Sequence, residues 1–448
     1  MKKRIISLLL ILVMLLCAVP SYATGSEPDL TAEAALLLDM TTGDVLYEKN
    51  ANAKLYPASM TKMMTCILAL ENMDLSKYIT VQYNDIKGVT GDKLNLYSGE
   101  EMNVGTMISA MMVISANDAA NVLAREVAGS VEAFANMMNA KAAEIGCTGT
   151  NFVNANGLHD VNHYSTASDI AKIAMYCMEN EVFRRVVARS EFTVPVTNKT
   201  SERYLKTTNW LLSEGDYKYD GCIGIKTGST TPAGGCLCAA ATRGNTTLLS
   251  VVMKSESIEA RFTDSIALLD YGFDNFRTVS ITAPAEIPET TSVKGGRAKT
   301  VAIDVPSFNA VETIPNTVKS DILNAKIVLE EKIQAPIKAG DVVGKLQIVD
   351  GEDIVKEYDI TAKESVEKGA SLPDLHFGGS LFAKILLIIL IVFVALLILI
   401  GVYVIVQRKK TEKRKAARAA RRAQIEEQEM QLRKEWEKTY HGRFKDEL

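Results

Sequence analysis

The sequence predicts an α+β fold followed by a smaller β-rich domain and a C-terminal transmembrane helix, and three observations carry that prediction. Strand patterns stand at both ends of the stretch from Ala34 to Tyr271, with helical periodicity between them. Beyond about Phe276 the composition turns to Val, Thr, Pro and Glu without a long helical period. Ile385 to Val406 then gives 22 consecutive residues without a charge, at ~1.5 Å each long enough to cross a ~30 Å hydrocarbon core.

The chain opens on Met1-Lys2-Lys3-Arg4, an apolar run from Ile5 to Val19 broken only by Ser7, and small residues at Ser21 and Ala23. This is the layout of a secretory signal peptide, residues 1–23. Ala34 to Lys49 reads as two short strands around a Thr-Gly-Asp turn. Helical patterns follow: Thr61 to Met73, apolar nearly all round, then Thr106 to Ile114, Ala119 to Val127, Val131 to Ile145 with Gly146 as its stop, and Ser168 to Met178. After Asp220 the stretches GCIGIKTG, GGCLCAAATR and TLLSVVMK read as strands, and Arg261 to Tyr271 as a closing helix. Strands at both ends with helices between predict one antiparallel sheet covered by helices, a domain spanning 24–276. In the β-rich domain, 277–370, two strand patterns flank Asp350-Gly351, a hairpin signal. Residues 371–384 read as a linker, 385–406 as the membrane span and 407–448 as a basic tail.

Charge follows this division. The signal peptide carries +3 and the tail +6 of a total of −4, which leaves −13 on the part between them. That balance offers nothing to nucleic acid. Nine Lys/Arg against one Glu from Arg408 to Arg422 mark the cytoplasmic side of the span, which puts the preceding domains outside. Six cysteines remain after cleavage, too few for a disulfide framework. A bridge from Cys222 to Cys236 or Cys238 is geometrically conceivable, but free thiols are expected.

Three short motifs could carry chemistry. Ser59 and Lys62 stand three residues apart at the start of an apolar run, with Pro57 just upstream. Serine is a poor nucleophile without a neighbouring base, and i and i+3 share a helix face, so Lys62 can reach Ser59. The spacing alone equally fits an ordinary helix start, and Ser365 and Lys368 repeat it. Ser115-Ala116-Asn117 falls between two helical patterns, where a serine could relay a proton and an amide could hold a substrate; Ser307-Phe308-Asn309 repeats that pattern. Lys226-Thr227-Gly228 occurs once, at the end of a strand pattern. There a strand edge offers backbone groups to an extended peptide and glycine permits close approach, or else the three residues form an exposed hairpin turn.

In this order, 56 and then 111 residues apart, the motifs resemble those of the active-site serine penicillin-binding proteins and β-lactamases. The nearer resemblance is to the serine D-Ala-D-Ala carboxypeptidases, the low-molecular-weight penicillin-binding proteins. FVNANGLHDVNHYSTASDIA, TTNWLL, GIKTGSTTPAGGCL and ARFTDSIALLDYGF also look like segments of that family. The resemblance implies a penicillin-binding catalytic domain in which Ser59 attacks the bond between the last two D-alanines of a peptidoglycan stem peptide and Lys62 takes its proton. It implies that Ser115 passes the proton to the leaving D-Ala, that Asn117 holds the peptide, and that Lys226 and Thr227 bind its terminal carboxylate. Gly228 allows close approach, Ser59 and Ser229 supply backbone N–H groups to an oxyanion hole, and Arg261 is either a further carboxylate contact or a surface charge. β-Lactams are implied as covalent inhibitors. Ala116 and Ser229 depart from residues frequent in the family.

Other readings fit less well. Only His159 and His163 lie in the larger domain, neither beside an evident orienting acid, which disfavours a Ser-His-Asp triad. Their i, i+4 spacing lacks an HExxH pattern, so neither metal nor cofactor is expected. A class A β-lactamase would carry a Glu-x-x-Leu-Asn segment between the second and third motifs, and none is present. A non-catalytic wall-binding scaffold would not need all three motifs intact. The terminal KDEL matches a lumenal retention signal but falls on a tail predicted to be cytoplasmic.

Overall fold

The computed structural model describes residues 26–307, 310–369 and 381–441. The expected signal peptide, most of the expected linker, Phe308-Asn309 and the terminal KDEL lie outside them.

Strands β1 (Ala34–Asp39) and β2 (Val45–Lys49) form the first hairpin, turning through Gly43 at φ +78°. Two short antiparallel ribbons follow on the way along the chain: β3 (Tyr78–Thr80) with β4 (Glu101–Asn103), and β5 (Glu191–Val194) with β6 (Arg203–Lys206). Strands β7 (Cys222–Thr230), β8 (Gly234–Arg243) and β9 (Thr246–Ser255) then close a five-stranded sheet of order β2-β1-β9-β8-β7, antiparallel throughout. Alternate residues of a strand face opposite sides, and here both sides are covered. Ala34, Leu36 and Leu38 pack into the helical layer, whereas Ala35 and Leu37 pack into a second core with Leu268 and Leu269. Burial on both faces is why these strands read as nearly continuous apolar runs rather than as alternations.

The helices are α1 (Lys62–Asn72), α2 (Tyr83–Ile86), α3 (Val104–Val113), α4 (Asn117–Ala128), α5 (Val131–Glu144), α6 (Ala167–Glu179), α7 (Glu181–Val187) and α8 (Ala260–Asn275). In α1 every residue from Lys62 to Ala69 is buried, as its apolar circumference predicts. Side chains cap α3, α5 and α6: Asn103 Oδ1 accepts from Thr106 N at 2.8 Å, Ser130 Oγ from Ala133 N at 3.1 Å and Thr166 Oγ1 from Asp169 N at 3.0 Å. Each satisfies a donor that the first helical turn leaves unpaired. Helix α8 supplies Phe262, Leu268 and Leu269 to the core on the other side of the sheet.

A second sheet, of order β11-β12-β16-β15-β14-β10-β13, comprises β10 (Phe276–Thr282), β11 (Thr290–Ser292), β12 (Thr300–Asp304), β13 (Val311–Pro315), β14 (Ile322–Leu329), β15 (Val342–Asp350) and β16 (Asp353–Ala362). The β15/β16 hairpin turns at Gly351, φ +64°, where the sequence places it. The two sheets meet at Asp39, a fully buried carboxylate. It accepts from Thr41 N at 2.7 Å, Thr278 Oγ1 at 2.5 Å and Thr313 Oγ1 at 2.9 Å.

Helix α9 (Leu381–His441) is a continuous helix of 61 residues. It begins inside the stretch expected to be a linker and runs past the expected span through the basic tail. From Ile385 it is long and apolar enough to cross a membrane.

Candidate active site

The site is built around a 3-10 turn, Ala58–Thr61, that leads into α1. Ala58 sits at φ +47°, a region where a side chain is strained, and two glycines explain what holds it there. A Cβ on Gly157 would fall 2.0 Å from Ala58 O, and one on Gly228 would fall 2.8 Å from Pro57 O and 3.1 Å from Ser59 N. The backbone of 57–59 is thus clamped between two chain segments that approach only because both lack a side chain. Ser59 emerges from the clamp half-buried.

Lys62 is fully buried, and its Nζ has three neighbours: Ser59 Oγ at 2.8 Å, Asn117 Oδ1 at 2.6 Å and Asn156 O at 2.6 Å. Asn117 Nδ2 donates to Thr90 O at 2.7 Å, which fixes Oδ1 as the atom turned to the lysine. Two of the three neighbours can only accept, while the serine hydroxyl can donate. An ammonium meets this set by donating to all three oxygens, and a neutral amine, with two hydrogens and one lone pair, meets it with the lone pair toward the Ser59 proton. The electrostatics favour the neutral form. Burial first, and then the Lys226 charge, hold Lys62 well below the usual lysine range.

Ser115 lies between α3 and α4 at φ +62°, and Asn117 is the first residue of α4. The Ser115 hydroxyl makes no hydrogen bond among the described residues. Asn117 is held from outside: its N–H donates to Asp92 O at 2.8 Å, and a Cβ on Gly91 would fall 2.9 Å from its Nδ2.

Strand β7 is the outer strand of the sheet, and Lys226-Thr227-Gly228 lie within it rather than in a turn. The turn comes later, closed by Ala233 N donating to Thr230 O at 3.0 Å. Register places Lys226 opposite Cys238, Gly228 opposite Cys236 and Ser229 opposite Gly235, with Cys222 opposite Ala241. Cys222 therefore faces neither of its conceivable partners, and the six cysteines among the described residues are free. Lys226 is buried, donates to Thr227 O at 3.0 Å, and is pushed down to about 7 by burial and then by Arg261. Thr227 Oγ1 and Thr208 Oγ1 share a hydrogen bond of 2.7 Å. Ser229 is exposed.

Arg261 is not a surface charge. It is 5% exposed, Nη1 donates to Gly228 O at 3.1 Å, and Nε is buried without a partner among the described residues. Burial lowers it to about 10. Lys62, Lys226 and Arg261 therefore crowd together, each cation disfavouring its neighbour, an arrangement that an entering anion relieves.

Of the nine predicted residues, Ser59, Lys62 and Asn117 join by hydrogen bonds, and Lys226, Thr227, Gly228 and Arg261 form a second group pressed against the first at Ser59. Ser115 and Ser229 are tied in by chain position alone. Sequence reasoning gave no role to the Asn156 carbonyl, Gly157, Thr90, Gly91 or Thr208; the Asn-Gly pair at 156–157 was the available signal. His159 and His163 separate. His163 is buried with Nε2 2.8 Å from Thr61 Oγ1 and Nδ1 accepting from Val153 N at 3.2 Å, and burial lowers it to about 4. His159 is exposed, edge-on to Tyr56.

Comparison with known proteins bears on this arrangement. Residues 21–257 match the family described as D-alanyl-D-alanine carboxypeptidase, and residues 276–368 match the penicillin-binding protein 5 C-terminal domain. The chain is 31% identical to the D-alanyl-D-alanine carboxypeptidase DacF of Bacillus subtilis over 82% of its own length and 95% of that protein's. It resembles the crystal structure of the D-alanyl-D-alanine carboxypeptidase DacD from Francisella tularensis, with a TM-score of 0.62 and 26% identity over 77% of this chain and 95% of that one. The Streptomyces K15 DD-transpeptidase is similar at a TM-score of 0.53 and 34% identity, over 56% of this chain and 99% of that one.

Proposed function

The chain belongs to the D-alanyl-D-alanine carboxypeptidase family, and from that premise we propose that Ser59 attacks the carbonyl carbon between the two terminal D-alanines of a peptidoglycan stem peptide. The observation that carries this reading is the 2.8 Å contact between Ser59 Oγ and the Nζ of a fully buried lysine, Lys62, whose neutral form burial and the Lys226 charge favour. As the Ser59 oxygen bonds to carbon, its proton passes to Lys62 Nζ. The oxyanion meets backbone N–H groups at Ser59 and Ser229, a contribution commonly worth about 3–4 kcal/mol per donor. Lys226, Thr227 and the unpaired donor of Arg261 receive the terminal carboxylate, and Asn117 orients the peptide. The C–N bond breaks as Ser115 gives its proton to the departing D-alanine nitrogen and takes one from the Lys62 ammonium, which returns the lysine to its neutral form. Water then hydrolyses the ester, frees the shortened stem and restores the Ser59 hydroxyl.

A β-lactam enters by the same attack, but its leaving nitrogen stays tethered and obstructs water, so the adduct persists. The proposed domains are the catalytic domain 24–276, the β-rich domain 277–370 and the span 385–406. The basic flank of the span supports an extracytoplasmic catalytic domain and a cytoplasmic tail.

Ser59→Ala tests the assignment. The variant is expected to lose D-Ala release and labelling by a fluorescent penicillin together, while intact-protein mass spectrometry of the wild type shows a penicillin adduct outlasting many peptide turnovers. Release of D-Ala by Ser59→Ala at the wild-type rate would remove Ser59 from the mechanism.

A further inference from the structure

A groove of about 390 Å³ lies away from the catalytic cluster, between α1, α3, α7 and β5. Helix α1 begins at Lys62 and reaches the groove at Leu70, so the two are about 12 Å apart along its axis. Leu70, Ile108 and Val186 give it an apolar wall. Its volume falls in the range of small-molecule sites, which combine an apolar body with a few polar groups that fix orientation.

The charge of the lining is one-sided. Arg185 and Arg189 line the groove, and among the described residues no Asp or Glu does. Arg185 is paired with Glu181 at 3.0 Å. Arg189 differs: among the described residues it has no carboxylate partner, although it is half-buried. Its guanidinium is held over the Phe192 ring at 4.9 Å, and Nη1 donates to Ser109 Oγ at 3.2 Å. Stacked and anchored on one nitrogen, it keeps its remaining N–H donors available in a fixed plane. Asn103, also in the lining, spends its Oδ1 on capping Thr106 N, which leaves its amide hydrogens. The polar part of the groove therefore offers donors, with a pre-set guanidinium fork among them. Such a fork matches the two oxygens of a carboxylate, and little ordering remains to be done when a ligand arrives.

We propose that this groove is a second ligand site, which takes a small carboxylic acid with an aromatic or short aliphatic body and holds the carboxylate on Arg189. The site is separate from Ser59, and its ligand need not resemble the D-Ala-D-Ala terminus. The apolar wall takes the body of the acid, and Arg189, with its counter-ion missing, gains the partner it lacks.

The test uses the full chain in lipid nanodiscs with Ser59 first acylated by penicillin, so that the catalytic cleft is closed to the probe. Calorimetric titration with 3-phenylpropionate should give saturable one-to-one binding. The neutral analogue 3-phenylpropionamide should bind the same protein at least tenfold more weakly, and Arg189→Gln should weaken 3-phenylpropionate by at least as much. The proposal is overturned by no saturable heat up to millimolar acid, by equal affinity for acid and amide, or by binding that empty nanodiscs reproduce. Should Arg189→Gln fail to fold, the acid-to-amide ratio on the unaltered chain decides.

Discussion

A lysine acts as a base only while it is neutral, and at Lys62 burial and the Lys226 charge both favour that form. On the proposed mechanism, below its lowered pKa the amine gains a proton and no longer offers Ser59 a lone pair, so acylation should slow and the acid side of the rate profile should follow that titration. Removing one of the two causes has a defined sign. Lys226→Gln takes away a positive neighbour, raises the Lys62 pKa and should move the acid limb of penicillin acylation to higher pH, while burial keeps it below the ordinary lysine value. Stopped-flow labelling from about pH 5 to pH 9 reads the position of the limb separately from its height, which should fall anyway with loss of the proposed carboxylate ligand. A limb that stays in place would mean that Lys226 does not tune Lys62. Ser59 and Lys62 were legible in the sequence because their spacing is a property of one helix. The third partner of Lys62 was not: Asn156 contributes a backbone carbonyl from 94 residues away, and a carbonyl belongs to every residue type. Arg261 stayed ambiguous for a related reason, since the sequence does not show whether a helix buries its arginine.

Elements show the same division between local and distant causes. Helix α1 was legible from its apolar circumference, and β7 to β9 from unbroken apolar runs. Helix α7 spans only seven residues and β3 to β6 three or four each, too short for a period to repeat. Lys226-Thr227-Gly228 drew a turn as one of its readings because glycine commonly marks one; in the fold that glycine admits the Ala58–Thr61 turn against β7. Gly157 does the corresponding work on the other side, at φ +82°. Gly157→Ala would drive a methyl into Ala58 O and also require an L-residue at positive φ. The expected cost is about 2–4 kcal/mol, from overpacking and backbone strain together. Because the displaced backbone is that of Ser59, acylation should fall at least tenfold in molecules that remain folded, a loss seen by comparing labelling rate with circular-dichroism melting. A variant that melts early but labels normally would show that the clamp serves stability alone.

At the scale of the whole molecule, two sheets share one buried carboxylate. Asp39 lies at the end of β1, and β9 and β8 separate β1 from the β7 strand that carries Lys226. The β-rich sheet is thereby hydrogen-bonded to the first sheet through an element that carries neither Ser59 nor Lys226. Membrane orientation belongs to this scale too. Protease added to intact cells should remove the catalytic domain and spare an epitope placed after Leu448; loss of the epitope would invert the orientation. The division into strand, helix and apolar span was visible in composition, but the continuity of α9 was not, because a charged helical tail and a surface-lying segment share one sequence pattern. That continuity makes the helix a lever. From Gln407 to His441 it extends about 52 Å beyond the apolar span, with neither proline nor glycine to bend it. A tilt of about 20°, ordinary for a membrane helix, would sweep its far end sideways by about 18 Å, so a small change of angle in the apolar half becomes a large displacement at the charged end.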